Sequence, residues 1–211
     1  MNIELIPVGP YEVNCSIVWG DAQQALVIDP GFDVNEIESF LKTNSLQTAA
    51  YLLTHGHADH ISALAKLHTV NPAPVYLHPA DQEWAFGPNN QIPPYYPVPE
   101  KPDTEIRNPA DLNDVEIADL SFQTLETPGH TPGGVCYWFK GADVCFTGDT
   151  LFKGSCGRTD LPGGNARVLT DSLGKLAETL PPETQIIAGH GDSSTMKQEL
   201  ATNFFLQRFH R

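Results

Sequence analysis

The sequence predicts an α/β fold made of two halves that run through the same order of elements. Three observations carry that expectation. Short apolar runs of strand length alternate with longer segments of helical periodicity along the 211 residues. A stretch at 87–102 holding six prolines breaks the alternation near the middle. After it, the order of several strands, a helix, a strand and a helix comes round again, without any repeat at the level of residues. A hydrophobic content of 40% supplies a real core, and residues 1–211 are read as a single domain.

Residues 3–8 and 13–19 read as strands joined by Gly9-Pro10. Ala25-Leu26-Val27-Ile28 reads as a third, stopped by the turn signal Asp29-Pro30-Gly31. Val34, Ile37, Phe40 and Leu41 fall at helical spacing, so a helix is predicted over 33–43, with Asp33 as its cap. Residues 49–53 form a buried strand. Ile61, Leu64 and Leu67 then predict a helix. Val75-Tyr76-Leu77 is a short strand, and 80–86 a helix. The proline-rich segment is either a lid or pocket wall, to which Tyr95 and Tyr96 would contribute, or a rigid surface connection. Beyond it, strands are predicted near 115–117, 120–126, 135–140 and 143–147. A helix follows over 166–180, then a strand at 185–188 and a terminal helix over 194–206.

The formal net charge is -14, from 26 acidic and 12 basic residues. Such a surface repels phosphate backbones, which argues against a nucleic-acid partner. The N-terminus lacks a basic region followed by a long apolar run, and no apolar stretch is of membrane-spanning length. Cys15, Cys136, Cys145 and Cys156 show no C-x-x-C spacing. Free thiols and a cytoplasmic location are therefore expected.

The chemistry is concentrated in Thr54-His55-Gly56-His57-Ala58-Asp59-His60, directly after the strand at 49–53. Three further candidates arrive beside glycine: His130, Asp149 and His190. These are five imidazoles and two carboxylates. One zinc ion takes about four ligands, so seven side chains suggest two metals. In an extended segment, residues two apart point the same way, so His55 and His57 can reach one cation together. Asp59 and His60 lie past the turn and can face a second. Asp149 has two oxygens and could touch both. His68, His78 and His210 have no such context and are read as ordinary core or surface residues. A purely structural metal fits poorly, because such sites generally close their shell with Cys and His.

This pattern resembles the signature of the metallo-β-lactamase superfamily, His-x-His-x-Asp-His followed by His, Asp and His. The likeness covers nearly the whole chain in order and spacing. It implies an αβ/βα four-layer sandwich, two mixed sheets with helices outside and a dinuclear site at one edge. Position by position, it places His55, His57 and His130 on one metal, Asp59, His60 and His190 on the other, and Asp149 between them. Two divalent ions per chain are expected, zinc foremost, with iron or manganese as alternatives.

Within the superfamily, Gly148-Asp149-Thr150-Leu151-Phe152 followed by Gly157-Arg158-Thr159-Asp160 is similar to glyoxalase II-like proteins. Those hydroxyacylglutathione hydrolases cleave thioesters such as S-lactoylglutathione. The longer form carries a C-terminal helical region with glutathione contacts and tends to have Lys and Tyr where Arg158 and Asp160 stand. The resemblance is therefore to the short, compact group. It implies attack on the thioester by a hydroxide shared between the metals, with Asp59 as both ligand and catalytic group. Arg158 is the candidate for a substrate carboxylate, since guanidinium grips carboxylate in two-pronged fashion, and Lys153 is a second; a plain ion pair of Arg158 with Asp160 is the alternative. The Arg-Thr-Asp stretch and His57-Ala58-Asp59-His60-Ile61 also resemble persulfide dioxygenases, mononuclear iron enzymes whose ligands would be His55, His130 and Asp149. A lactonase, another small-ester hydrolase, or a non-enzymatic metal-binding module remain as further readings. Lactamase chemistry is disfavoured, because no cysteine replaces Asp149.

Overall fold

The first sheet grows outward from a hairpin that the pattern Ile6, Val8, Val13, Cys15 and Ile17 would bury on one face. In the computed structural model, which describes residues 1–112 and 116–209, β1 (Asn2–Val8) and β2 (Val13–Trp19) form that hairpin. β3 (Gln24–Ile28) adds antiparallel to β2. The chain then crosses through α1 (Val34–Thr43) to β4 (Gln47–Leu52), which lies parallel to β3. Past α2 (Ala58–Ile61) and α3 (Leu64–Val70) comes β5 (Val75–Tyr76), and past α4 (Pro79–Gln82) comes β6 (Ile106–Arg107), each parallel to its neighbour.

A small hairpin, β7 (Glu116–Ile117) and β8 (Leu120–Ser121), leads into the second sheet. There β9 (Gln123–Glu126), β10 (Val135–Phe139) and β11 (Val144–Gly148) are antiparallel in succession. A second small hairpin, β12 (Leu151–Phe152) and β13 (Ser155–Cys156), precedes α5 (Ala166–Thr179). β14 (Gln185–Ala188) is parallel to β11, and β15 (Ser194–Thr195) and α6 (Met196–Thr202) follow. Each half thus sets three antiparallel strands, a crossover helix and a parallel strand, so the echo in the sequence is real at the level of architecture.

Strand alternation sorts the core into layers. Ile17, Val27, Tyr51 and Leu53 face outward against Ile37 and Leu41 of α1 and Leu64 and Leu67 of α3. Val18, Leu26, Ile28 and Leu52 face inward against Tyr137, Phe139, Phe146 and Ile187 of the second sheet. Cys136, Trp138, Cys145 and Ile186 face outward again, under Leu169, Leu173 and Leu176 of α5. The result is the αβ/βα four-layer sandwich with two mixed sheets.

Several boundaries differ from the sequence expectation. Asp33 stands at the N-cap of α1 in a left-handed conformation, but its side chain makes no capping bond; its carboxylate accepts from Gly9 N at 2.8 Å instead. The helix after the histidine cluster is two short helices. The helix expected over 80–86 is one turn, started by Pro79 and capped by His78 Nδ1, which accepts from Ala80 N at 3.2 Å. The strand at 120–126 breaks at Phe122, which is buried in the inner core. Residue 115 of the strand expected at 115–117, and His210, lie outside the described residues. The terminal helix starts later and stops at Thr202, because Asn203 is extended and fully buried. Its Nδ2 donates to Phe152 O at 3.3 Å, Ser155 O at 2.9 Å and Glu199 Oε2 at 2.8 Å, tying α6 to the β12–β13 hairpin. Asn203→Ala strands those acceptors and is expected to cost about 1–3 kcal/mol, read as a lower urea midpoint at unchanged m.

Candidate metal centre

The candidate residues all leave the carboxyl ends of strands or the loops beside them. His55 follows β4. His57 is extended, just before α2, and Asp59 and His60 lie in that single helical turn. Asp149 follows β11 and His190 follows β14. His130 sits in the loop between β9 and β10. Both parallel pairs, β3–β4 and β11–β14, therefore open toward one edge of the sandwich, where α/β folds place their crevices. Two glycines permit the close approach. Gly148 is left-handed (φ 48°), and a Cβ on it would run into Thr54. A Cβ on Gly189 would collide with Asp149 Oδ1 and His60.

All seven residues come together. His57 Nδ1 stands 2.9 Å from His130 Nε2, and the rings of both lie 4.9 Å from that of His55. Ligand atoms of these three all lie within 4.8 Å of one another, and so do those of Asp59, His60 and His190. In the second group His60 Nε2 is 3.3 Å from His190 Nε2, which is 3.4 Å from Asp59 Oδ2. Asp149 spans the two: Oδ1 is 3.4 Å from His60 Nε2, and Oδ2 is 3.5 Å from His130 Nε2 and 3.7 Å from His190 Nε2.

These donors fit divalent cations. His55 Nε2 and Asp149 Oδ1 are buried without a hydrogen-bond partner, a costly state for polar atoms unless an ion receives them. The set of imidazole nitrogens and carboxylate oxygens suits zinc, iron or manganese.

The far side of each ring explains how the near side is aimed. His130 Nδ1 meets Arg158 O at 2.8 Å and His190 Nδ1 meets Tyr11 O at 2.8 Å. His60 Nδ1 meets Asp29 Oδ2 at 3.0 Å, and His55 Nδ1 meets Thr54 Oγ1 at 3.1 Å, whose hydroxyl donates to Asp29 Oδ2 at 2.6 Å. A ring nitrogen facing such acceptors must carry the hydrogen, which leaves the Nε2 lone pair for the centre. His57 is the exception and turns Nδ1 inward. Asp29 also accepts from Thr54 N at 2.7 Å. The sequence marked Asp29 only as part of a turn. Its position at the carboxyl end of β3, next to the strand that carries the ligands, was the available signal. Asp29, His55 and His60 also lie within ion-holding distance of one another. Both Asp29 oxygens already accept, Oδ1 from Thr54 N and Oδ2 from Thr54 Oγ1 and the outer nitrogen of His60, so Asp29 orients ligands.

The electrostatics divide the cluster. Burial, reinforced by the neighbouring imidazoles, holds His55 well below the ordinary histidine value. Burial and His130 bring His57 down to about 4. Burial would also lower His60 and His190, yet both are raised, His60 chiefly by Asp149 and Asp59, His190 chiefly by Asp59. Burial would raise Asp149 and Asp59, but His60 first among their neighbours holds both below the usual carboxylate range. His55 and His57 are thus ready as neutral ligands. At the Asp59–His60–His190 end, protons sit where positive charge is favoured, and a cation would replace them.

The two expected substrate contacts are engaged elsewhere. Arg158 grips Asp160 with Nε and Nη2, both at 2.7 Å, on the exposed rim. Lys153 Nζ bonds Asp192 Oδ2 at 2.9 Å. Of the two tyrosines, Tyr95 is exposed and Tyr96 is buried, its hydroxyl accepting from Tyr11 N at 3.3 Å. The proline-rich segment therefore backs the loop whose carbonyl holds His190. All four cysteines are free. Among the described residues, no helix is long and apolar enough to cross a membrane.

Comparison with known proteins agrees with this geometry. The family model described as Metallo-beta-lactamase superfamily matches residues 8–190. A probable metallo-hydrolase, YqgX of Bacillus subtilis (strain 168), is 36% identical over 99% of both chains. Hydroxyacylglutathione hydrolase GloC of Haemophilus influenzae is 33% identical over 98% of both. Among solved structures, BLEG-1 B3 metallo-beta-lactamase superposes with a TM-score of 0.89 at 34% identity, covering 97% of this chain and 99% of that one. TTHA1623 in a di-iron-bound form gives 0.79 at 33%, covering 96% and 100%. ETHE1 from Myxococcus xanthus gives 0.72 at 28%, covering 97% and 84%.

Proposed function

The chain belongs to the metallo-beta-lactamase superfamily, and from that footing we propose that it is a dinuclear metal-dependent hydrolase of the glyoxalase II-like kind, cleaving a thioester such as S-lactoylglutathione. One observation carries this reading: two triads of buried and half-buried donors flank Asp149, and His55 Nε2 and Asp149 Oδ1 lack any hydrogen-bond partner. When bound, two divalent cations supply a water that is deprotonated near pH 7 and a Lewis acid for the carbonyl oxygen. His55, His57 and His130 would hold one ion, Asp59, His60 and His190 the other, with Asp149 placed to serve both. Asp59 would act as a ligand and as the group that orients the attacking water. The likeness to a hydroxyacylglutathione hydrolase supports the thioester, and the likeness to a di-iron protein supports two ions. The metal is zinc, or iron or manganese in its place. The substrate is a small molecule, met in the cytoplasm; the charge of -14 keeps nucleic acid away.

Arg158 receives a substrate carboxylate by swinging off Asp160, with Lys153 in a lesser part. Water and salt screen an exposed ion pair, so the exchange costs little. Arg158→Ala is expected to raise KM for an anionic thioester about tenfold, equivalent to about 1.4 kcal/mol, and to leave a neutral thioester unaffected. Equal effects on both substrates would leave Arg158 as a partner for Asp160 alone.

A second reading, a mononuclear iron persulfide dioxygenase, draws on the Arg158-Thr159-Asp160 stretch and the likeness to ETHE1. The deciding experiment couples elemental analysis of purified protein to thiol release from S-lactoylglutathione and oxygen uptake with glutathione persulfide. A β-lactam joins the panel because of the likeness to BLEG-1. Two metals per chain with thiol release support the hydrolase. One iron with oxygen uptake replaces it. Full metal without turnover on any substrate points to a metal-binding module.

A further inference from the structure

Behind the imidazole end of the centre lies a polar contact that the ligand set does not require. Asp81, in α4, is fully buried. Its Oδ2 accepts from Gly56 N at 2.9 Å and from Thr131 Oγ1 at 2.7 Å, and its Oδ1 accepts from Gly133 N at 2.7 Å. Gly56 lies between His55 and His57, and Thr131 follows His130. One carboxylate therefore binds both loops that supply this end, one from each half of the chain. Eight residues after α4, Asn90 closes on the same loop. Its Oδ1 accepts from Ala58 N at 3.1 Å, and its Nδ2 donates to Gly56 O at 2.8 Å and Ala85 O at 2.6 Å. The Trp84 ring lies 5.4 Å from that of His57. The seating is tight: a Cβ on Gly56 would stand 3.0 Å from Ala85 Cβ, and one on Gly133 2.8 Å from Asp81 Oδ1.

Within the metal-centre reading above, we propose that Asp81, assisted by Asn90, is a positioning residue that sets the separation of His57 and His130 and so the affinity of the His55–His57–His130 end for its ion. Neither residue touches the cluster. The physical reason is that these two ligands come from loops in different sheets, joined among the described residues by no strand pairing and near the ligands by a single backbone bond from Val135 N to Thr54 O at 2.8 Å. A cation that must be met by three nitrogens at about 2.0–2.1 Å tolerates little drift between them. A buried carboxylate with three donors supplies a fixed distance, since a buried donor left unmatched is costly.

The test uses the whole chain with zinc and cobalt(II) as probes. Asp81→Asn keeps the size of the side chain but turns an amide N–H₂ toward at least one donor. It is expected to weaken one of the two metal equivalents about tenfold or more in chelator competition, leave the other near the wild-type value, and shift the cobalt(II) visible bands. Asn90→Ala should act in the same direction, and Thr131→Val, which removes one donor, serves if Asp81→Asn does not fold. Unfolding of the chelated proteins is followed in parallel. A folded variant with both equivalents and the cobalt spectrum unchanged overturns the proposal. So does equal weakening of both equivalents in step with a lower Tm, which marks general loosening. A wild-type chain that takes up no metal removes the centre itself, and this inference with it.

Discussion

Asp149→Ala is expected to lower kcat for the proposed thioester hydrolysis about a thousandfold, equivalent to about 4 kcal/mol at 1.36 kcal/mol per decade. The carboxylate is in contact range of both triads, 3.4 Å from His60 Nε2 and 3.5 Å from His130 Nε2. Without it the two proposed ions would lose their common ligand, and the surrounding imidazoles would lose the negative charge that lets cations approach each other. His60, held high chiefly by Asp149, should then titrate at a lower pH. Initial rates and elemental analysis check the point together. Full turnover with two metals retained would take Asp149 out of the mechanism.

Asp29→Ala carries the larger structural effect. Thr54 N, Thr54 Oγ1 and His60 Nδ1 all depend on this buried carboxylate. Its removal leaves three buried donors and the charge on His60 without their acceptor. Breaking such a buried charged network costs about 3–5 kcal/mol. The variant should unfold at a correspondingly lower urea concentration after chelation, so that metal loss does not enter the comparison. Metal affinity should fall as well, by about 10–100-fold, because two rings lose their orientation. Wild-type stability in the chelated state would mean that water replaces the carboxylate without penalty.

The centre was legible because short motifs carry their own geometry. His55, His57, Asp59 and His60 lie within one turn of chain, so spacing alone places them together. The later ligands were legible from their glycine neighbours, and Gly189 indeed has no room for a side chain against Asp149 and His60. The long-range supports were not. Asp29 reads as a turn residue, Asp81 as a helix surface, and Asn90 as part of a proline-rich connection. Each is a common residue whose partners in the ligand loops lie 25 or more residues away. The short strands β6, β12, β13 and β15 were missed for a related reason, since two residues carry no periodicity. Arg158 was singled out for its side chain, whereas its carbonyl is what meets His130.

What the chain determined by itself was therefore the alternation of strands and helices, the doubled order of elements, and which seven side chains would gather, because these depend on local period and on residue chemistry. What the tertiary structure alone decided was how those side chains are aimed. Ring orientation depends on hydrogen bonds that the imidazoles donate to the Asp29 carboxylate and to the Tyr11 and Arg158 carbonyls, groups distant in sequence that meet the rings only once the two sheets have packed on a common core.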